Sequence, residues 1–334
     1  MIEGHGDDAY RYDGITSDFS SNICLPAHRH EALTAHLAAH PELIGHYPEP
    51  EAWSLERMIA ERLDIDPRCV VVTSGATEAI YLIAQTFPYR PVIPVPTFSE
   101  YEDACIEAGK SCDYEDACIA AGNSSDTMLW LCDPNNPDGK VYDQLYIDRM
   151  MAEHALVVLD HSYENYTDLP VMSARWGCRT PYSIQIHSLT KTYAVPGLRL
   201  GYITAHERLT ARIRQHLRPW SVSALAQEAG LFLLQHDELI CKPDLQETRR
   251  LAQCLGQLPG VEVMPSHTNF MLCRLAHHLA SDLKDYLARE HHILIRDASN
   301  FRGLTPHHFR VAAQMPAEND ALVAAIREFK EKTL

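Results

Sequence analysis

Short apolar runs recur along the first two thirds of the chain, separated by stretches with helical period. They are Val70–Thr73, Val92–Val95, Met128–Cys132, Leu156–Asp160, Ser183–His187 and Leu200–Thr204. A continuous apolar run such as Leu156–Leu159, closed by Asp160, reads as a buried parallel strand. Strands alternating with helices predict a mostly parallel sheet with helices on either side. Gln227–Leu234 reads as a helix leading out of this unit, and after it the pattern changes. Gly260-Val-Glu-Val-Met-Pro265, Asn269–Arg274, His292–Arg296 and Phe309–Ala313 read as short strands, with helices between them and over Ala317–Lys332. That predicts a smaller α+β unit, on which about the first 25 residues are expected to pack. The expected division is a large domain over 28–235 and a small domain built from 1–27 and 236–334.

Residues with chemistry to offer sit just beyond the strand-like runs, where open α/β sheets place ligands. Ser183–His187 delivers Ser188, Thr190 and Lys191, and Arg199 follows eight residues after the lysine. Hydroxyls and a guanidinium suit a phosphate, and a lysine beside them suits a Schiff base. Val70–Ile80 reads as strand, tight turn and helix, and the turn at Ser74-Gly-Ala-Thr77 offers backbone N–H groups and a dipole to an anion. Asp133-Pro-Asn-Asn-Pro-Asp-Gly139 is a turn at a strand end, and Asp160 closes a buried strand with Tyr163 three residues on. Each piece has an ordinary reading: a solvated lysine, a common turn, an acid at a strand end, an N-cap. In this order they make up the set that pyridoxal phosphate (PLP) requires.

On these motifs the chain resembles the fold-type I PLP enzymes of the class I/II aminotransferase superfamily over nearly its whole length. Within it the chain is most similar to the branch holding histidinol-phosphate aminotransferase and L-threonine-O-3-phosphate decarboxylase, and is closer to the decarboxylase. The decarboxylase's His-Gly-Gly-Asp and Asp-Phe-Ser-x-Asn-Ile find counterparts in His5-Gly-Asp-Asp8 and Asp18-Phe-Ser-Ser-Asn-Ile23. Its Tyr-Pro-Asp-Pro and Pro-Thr-Phe-x-Glu-Tyr are matched by Tyr47-Pro-Glu-Pro50 and Pro96-Thr-Phe-Ser-Glu-Tyr101. Ile293–Leu304 and Phe309–Ala313 add to the likeness.

The resemblance implies a large domain with a mostly parallel seven-stranded sheet, a small α+β C-terminal domain, PLP, and a homodimer with shared active sites. It also implies roles. Lys191 would hold PLP as a Schiff base and move the proton at the substrate Cα. Asp160 would keep the pyridine nitrogen protonated, since an opposite charge favours the ionised form. Tyr163 and Asn136 would meet the phenolic oxygen of the ring, and Tyr101 would stack on its face. Gly75, Ala76, Thr77, Ser188, Thr190 and Arg199 would surround the cofactor phosphate, with Tyr47 reaching that of the partner subunit. Arg310 stands where the superfamily keeps its α-carboxylate arginine. Arg296 stands where the branch grips a substrate phosphate, with Asn136 nearby and His5, Gly6 and Asn22 completing the pocket. Asp7 replaces the branch's second glycine and adds a negative charge there.

The reaction implied is decarboxylation of L-threonine-O-3-phosphate in cobalamin side-chain synthesis. The alternative is an aminotransferase of the histidinol-phosphate type that uses 2-oxoglutarate and glutamate. The core serves both, because the bond that breaks is the one standing perpendicular to the ring. Asp18–Ile23 and Asn300–Leu304 favour the decarboxylase.

Composition narrows the partners. A chain of 334 residues can bury a large core in two domains. With 29 basic and 45 acidic residues its formal charge is −16, which repels nucleic acid and anionic membranes. A few local arginines can still dominate a pocket. No apolar stretch approaches a membrane span, and Met1-Ile-Glu-Gly-His5 lacks the basic and apolar regions of a signal peptide. Ten cysteines then point to reduced thiols in the cytoplasm. There is no CxxC and no HExxH; the pairs His28/His30, His277/His278, His291/His292 and His307/His308 lack a third ligand, so no metal is expected. A winged-helix segment is lacking ahead of the strands, and Ser74-Gly-Ala-Thr-Glu78 is not the Gly-x-Gly-x-x-Gly of a nicotinamide enzyme. Tyr101–Gly109 nearly repeats as Tyr114–Gly122. The Pro96-Thr-Phe98 context assigns the cofactor role to Tyr101, leaving Tyr114 to an outer helix or strand.

Overall fold

The structure, a computed structural model, describes residues 8–24, 30–116 and 124–333. In chain order its strands are β1 Ser17–Asp18, β2 Val70–Thr73, β3 Arg90–Val95, β4 Asp113–Asp116, β5 Ser124–Cys132, β6 His154–Asp160 and β7 Ser183–Ser188. They continue with β8 Gly201–Ala205, β9 Val261–Val263, β10 Phe270–Leu275, β11 Ile293–Leu294, β12 Arg296–Asp297 and β13 His308–Ala312. The main sheet has seven strands in the order β2-β8-β7-β6-β5-β3-β4, all parallel except β8, which runs antiparallel to both neighbours.

Period-two burial explains why the runs are rich in apolar residues at successive positions. On β2, Val71 enters one apolar cluster with Ile80, Trp130 and Ile203, while Val70 and Val72 enter another with Leu55 and Ile59. On β6, Val158 joins the first cluster, and Val157 and Leu159 pack on the opposite side with Ile147 and Met150. Both faces of the sheet are covered, so most inward side chains on both are apolar, and the buried polar ones on β7 are hydrogen-bonded: Gln185 Nε2 donates to the Met172 carbonyl, and His187 Nε2 bonds Thr204 Oγ1. The edge strand β4, Asp113-Tyr-Glu-Asp116, has no apolar run and suits an edge that other chains should not extend. The near-repeat therefore takes two conformations. Tyr101-Glu-Asp lies in the helix Glu100–Glu107 and Tyr114-Glu-Asp in β4. The copies touch, because Tyr114 Oη donates to Glu102 Oε1 at 2.7 Å.

A second, antiparallel sheet has the order β12-β13-β10-β9. The helices Leu245–Gly256, Ala280–His291 and Pro316–Thr333 cover it, with Leu251, Leu287 and Ile326 in one cluster with Phe309 of the sheet. The first described residues pack here. β1 pairs in parallel with β11, Phe19 is buried in the same cluster, and the Ala312 N–H donates to the Phe19 carbonyl. The run His292–Arg296, read from sequence as one strand, is divided: Ile293-Leu294 serves β1, and Arg296-Asp297 serves β13. Among the described residues no helix is long and apolar enough to cross a membrane.

Candidate active site

A cavity of about 290 Å³ opens between the C-terminal ends of the parallel strands and the smaller unit. Its large-domain wall follows directly from strand endings. β6 ends at Asp160, β7 ends at Ser188, and the turn of helix Leu189–Thr192 adds Thr190 and Lys191. Ala76 and Thr77 line the cavity from the first turn of helix Gly75–Thr86. Two glycines make the close approaches possible. Gly75 has φ +79°, and a Cβ there would lie 2.8 Å from Arg199 Nη2. A Cβ on Gly201 would lie 2.9 Å from the Ala76 nitrogen. The guanidinium can thus lie across the helix N-terminus, whose free N–H groups and dipole already favour an anion. With the Ser188 and Thr190 hydroxyls, this is a cup of phosphate size and chemistry.

Deeper in the wall, Asp160 Oδ2 accepts from Tyr101 Oη at 2.7 Å and Oδ1 from the Ser162 N–H at 2.9 Å. Burial pushes its carboxyl above the usual range, against the pull of those two hydrogen bonds. A protonated ring nitrogen facing it would restore the ionised form. Lys191 Nζ donates to the Ser21 carbonyl at 3.3 Å and lies 5.8 Å from the centre of the Tyr163 ring. Burial raises the Tyr163 phenol to about 12, keeping it a neutral donor; Asn22 Nδ2 donates to its oxygen at 3.4 Å, while Asn22 Oδ1 is buried without a partner among the described residues. These residues fit PLP. Ala76, Thr77, Ser188, Thr190 and Arg199 would hold its phosphate, Asp160 its nitrogen, Tyr163 and Asn136 its phenolic oxygen, and Lys191 its carbonyl carbon. Bound there, it supplies a ring that withdraws electrons from the substrate Cα.

The opposite wall comes from the smaller unit. Arg296 on β12 and Arg310 on β13 are direct cross-strand partners, and both line the cavity. Arg310 donates to Asn136 Oδ1 and to the Ser20 carbonyl, and its buried Nε has no partner among the described residues. Arg296 Nη2 donates to Asn300 Oδ1 at 2.9 Å, with the guanidinium 5.4 Å from the Phe301 ring centre. Burial pushes both guanidinium groups down to about 10, so both remain cations at neutral pH. Their hydrogen-bond partners are all neutral. Two like charges facing each other across a strand pair repel unless an anion compensates them.

The structure corrects one assignment. Tyr101, expected on the cofactor face, is fully buried and stacks on Trp130 at 5.3 Å, behind Asp160. The helix Glu100–Glu107 begins just before it and turns its ring toward the sheet, and Phe98 lines the cavity instead. Tyr47 is 85 % exposed, its ring 5.4 Å from Trp220, so it is outside the cavity of its own protomer. His5 and Gly6 lie outside the described residues. Sequence reasoning missed Ser20, Ser21, Phe98, Ser162 and Phe301, which line the cavity. All but Ser162 lie inside motifs that carried the resemblance, so the strand-end position of those motifs was the available signal.

A strand-end lysine, a buried carboxylate and a phosphate cup on a mostly parallel sheet define a PLP-dependent enzyme. The family model for aminotransferase class I and II matches residues 14–326, and the chain belongs to that family. It is similar to threonine-phosphate decarboxylase of Salmonella typhimurium, 31 % identical over 93 % of this chain and 90 % of that protein. Histidinol-phosphate aminotransferase of Caldanaerobacter subterraneus is 27 % identical over 84 % of each chain. The crystal structure of L-threonine-O-3-phosphate decarboxylase from Porphyromonas gingivalis superposes with a TM-score of 0.90 at 37 % identity, covering 95 % of this chain and 100 % of that one.

Proposed function

We propose that this chain decarboxylates L-threonine-O-3-phosphate, as a cytoplasmic homodimer serving cobalamin side-chain synthesis. The carrying observation is the buried Arg296–Arg310 pair, which stands apart from the cofactor's own phosphate cup. A substrate with both a carboxylate and a phosphate compensates both cations, and a singly anionic one leaves a buried charge unpaired. The decarboxylase relatives support the same reading by their names.

The residues then divide the work. Arg310 takes the carboxylate and Arg296 the phosphate, with Asn136 joining the two walls through its bond to Arg310. Asp160 would hold the proton on the ring nitrogen of bound PLP. Carbon dioxide leaves, and Lys191 returns a proton to Cα. Tyr47 completes the cofactor site of the second subunit. Its surface fits that role, because Trp220, 5.4 Å from its ring, is also exposed, as are Ile44 and Trp53 nearby in the chain. The charge of −16 argues against nucleic-acid and anionic-membrane partners.

The test is to supply the PLP-loaded enzyme with L-threonine-O-3-phosphate and measure carbon dioxide and amino transfer to 2-oxoglutarate. One carbon dioxide per substrate, with unphosphorylated threonine a poor substrate, is the expected result. Amino transfer from histidinol phosphate without carbon dioxide release would replace the decarboxylase with the aminotransferase reading, which the relatives of that name favour. Efficient use of unphosphorylated amino acids would overturn the phosphate role of Arg296 under either.

A further inference from the structure

Away from the active site, His36 near the end of helix Glu31–Ala38 and His40 just past it stand one turn apart. That spacing lets two imidazoles meet one ion. The fold brings a carboxylate to them from far along the chain. Glu228 of helix Ala224–Leu233 places Oε1 2.7 Å from His36 Nε2, although the two residues are 192 positions apart. The ligand atoms of His36, His40 and Glu228 all lie within 4.8 Å of one another. A second carboxylate, Glu42, bonds His40 Nδ1 at 2.9 Å. Carboxylates in that position fix the tautomer of metal-binding histidines and leave Nε2 for the ion. Phe232 stacks on His36 at 4.4 Å and holds the ring in place. The side chains are 25 %, 41 % and 27 % exposed, so an ion can enter and keep a water.

We propose that His36, His40 and Glu228 form a binding site for a divalent transition-metal ion, with zinc as the best match. Two imidazoles and one carboxylate, with the fourth place open to water, is a zinc donor set. Calcium and magnesium prefer oxygen ligands throughout. The ion would tie helix Glu31–Ala38 to helix Ala224–Leu233 and so fix the segment that leads into Tyr47. It would lie outside the active site, where the reading from sequence expected no metal.

The experiment uses the PLP-loaded full chain, treated with a chelator, dialysed, and titrated with zinc chloride against a chromophoric competitor. One zinc per chain is expected, with affinity falling at least tenfold in His36→Ala, His40→Ala and Glu228→Gln. Glu42→Gln should cost about tenfold, because it removes only the orienting carboxylate. Cobalt at the site should show the visible bands of a tetrahedral ion. Saturating zinc should raise Tm by about 3–6 °C in the native chain and not in the variants. Should an alanine variant lose its PLP colour, His40→Gln, closer in volume, replaces it. Failure to bind one equivalent, or binding that survives His36→Ala with His40→Ala, would overturn the site and leave the residues as ordinary surface pairs.

Discussion

The anion site at the start of helix Gly75–Thr86 is built from backbone N–H groups, two hydroxyls and an exposed arginine, whereas the one on β12 and β13 is two buried arginines facing each other. The first removes little charge from water, since Arg199 stays solvated and the helix terminus is polar already. The second holds two desolvated cations against neutral acceptors, an arrangement that costs free energy until anions arrive. The large-domain wall is therefore complete without substrate, and the small-domain wall is not. Changes in the first should affect every substrate alike, and changes in the second should affect substrates according to their charge.

The largest effect should come from Lys191→Ala, which removes both the anchor for PLP and the proton carrier. Turnover of every substrate should fall by about 10⁴-fold. Borohydride should fix PLP to the Lys191 peptide of the native chain alone, and a label on a different lysine would refute the assignment. Asp160→Asn should lower turnover by about 10²–10³-fold for all substrates, because an amide cannot hold the ring proton electrostatically. A variant close to native in rate would make Asp160 structural.

Arg296→Gln and Arg310→Gln sharpen the contrast further. Each removes a charge-assisted bond of about 1.5–3 kcal/mol, so kcat/KM for L-threonine-O-3-phosphate should drop ten- to a hundredfold. The PLP absorbance should not change. Arg199→Gln should do the reverse, weakening PLP binding with little change in KM. If Arg199→Gln and Arg296→Gln gave the same profile, the division between the walls would fail. The smallest effect should be that of Tyr47→Phe, a few-fold loss of PLP affinity on removal of one hydrogen bond. In mixed dimers that loss should appear in the partner's site, and a fully active, cofactor-loaded monomer would contradict the shared-site reading.

These two walls were not equally legible. The large-domain wall follows the chain, since β6, β7 and the turn after β2 each end at residues that line the cavity, and apolar-rich strand runs mark those endings. The small-domain wall depends on register. Arg296 and Arg310 are fourteen positions apart, and only the pairing of β12 with β13 sets them opposite each other. Their motifs drew attention to both, but no pattern of polar and apolar positions states that they touch. Tyr101 was misread for a related reason: its motif names two aromatic residues three positions apart, and the start of a helix decides that Phe98 faces the cavity. The near-repeat shows tertiary context overriding local preference, with Tyr-Glu-Asp helical in one copy and extended in the other. His36 and His40 were not among the histidine pairs noted in the sequence, and Glu228, which joins them, lies on a distant helix.

The split at Ile295 has a consequence for synthesis. β1 has no partner until β11 is made, and Arg310 bonds the Ser20 carbonyl across 290 positions of chain. At about 5–20 residues per second, the opening segment waits roughly 15–60 s on the ribosome with Phe19 uncovered. The cofactor cup, drawn from 70–205, has all its parts within that interval. Stalling translation before Ile293 should leave the segment around Phe19 open to protease, and release should protect it. The nascent enzyme thus assembles its place for PLP well before its means of choosing a substrate.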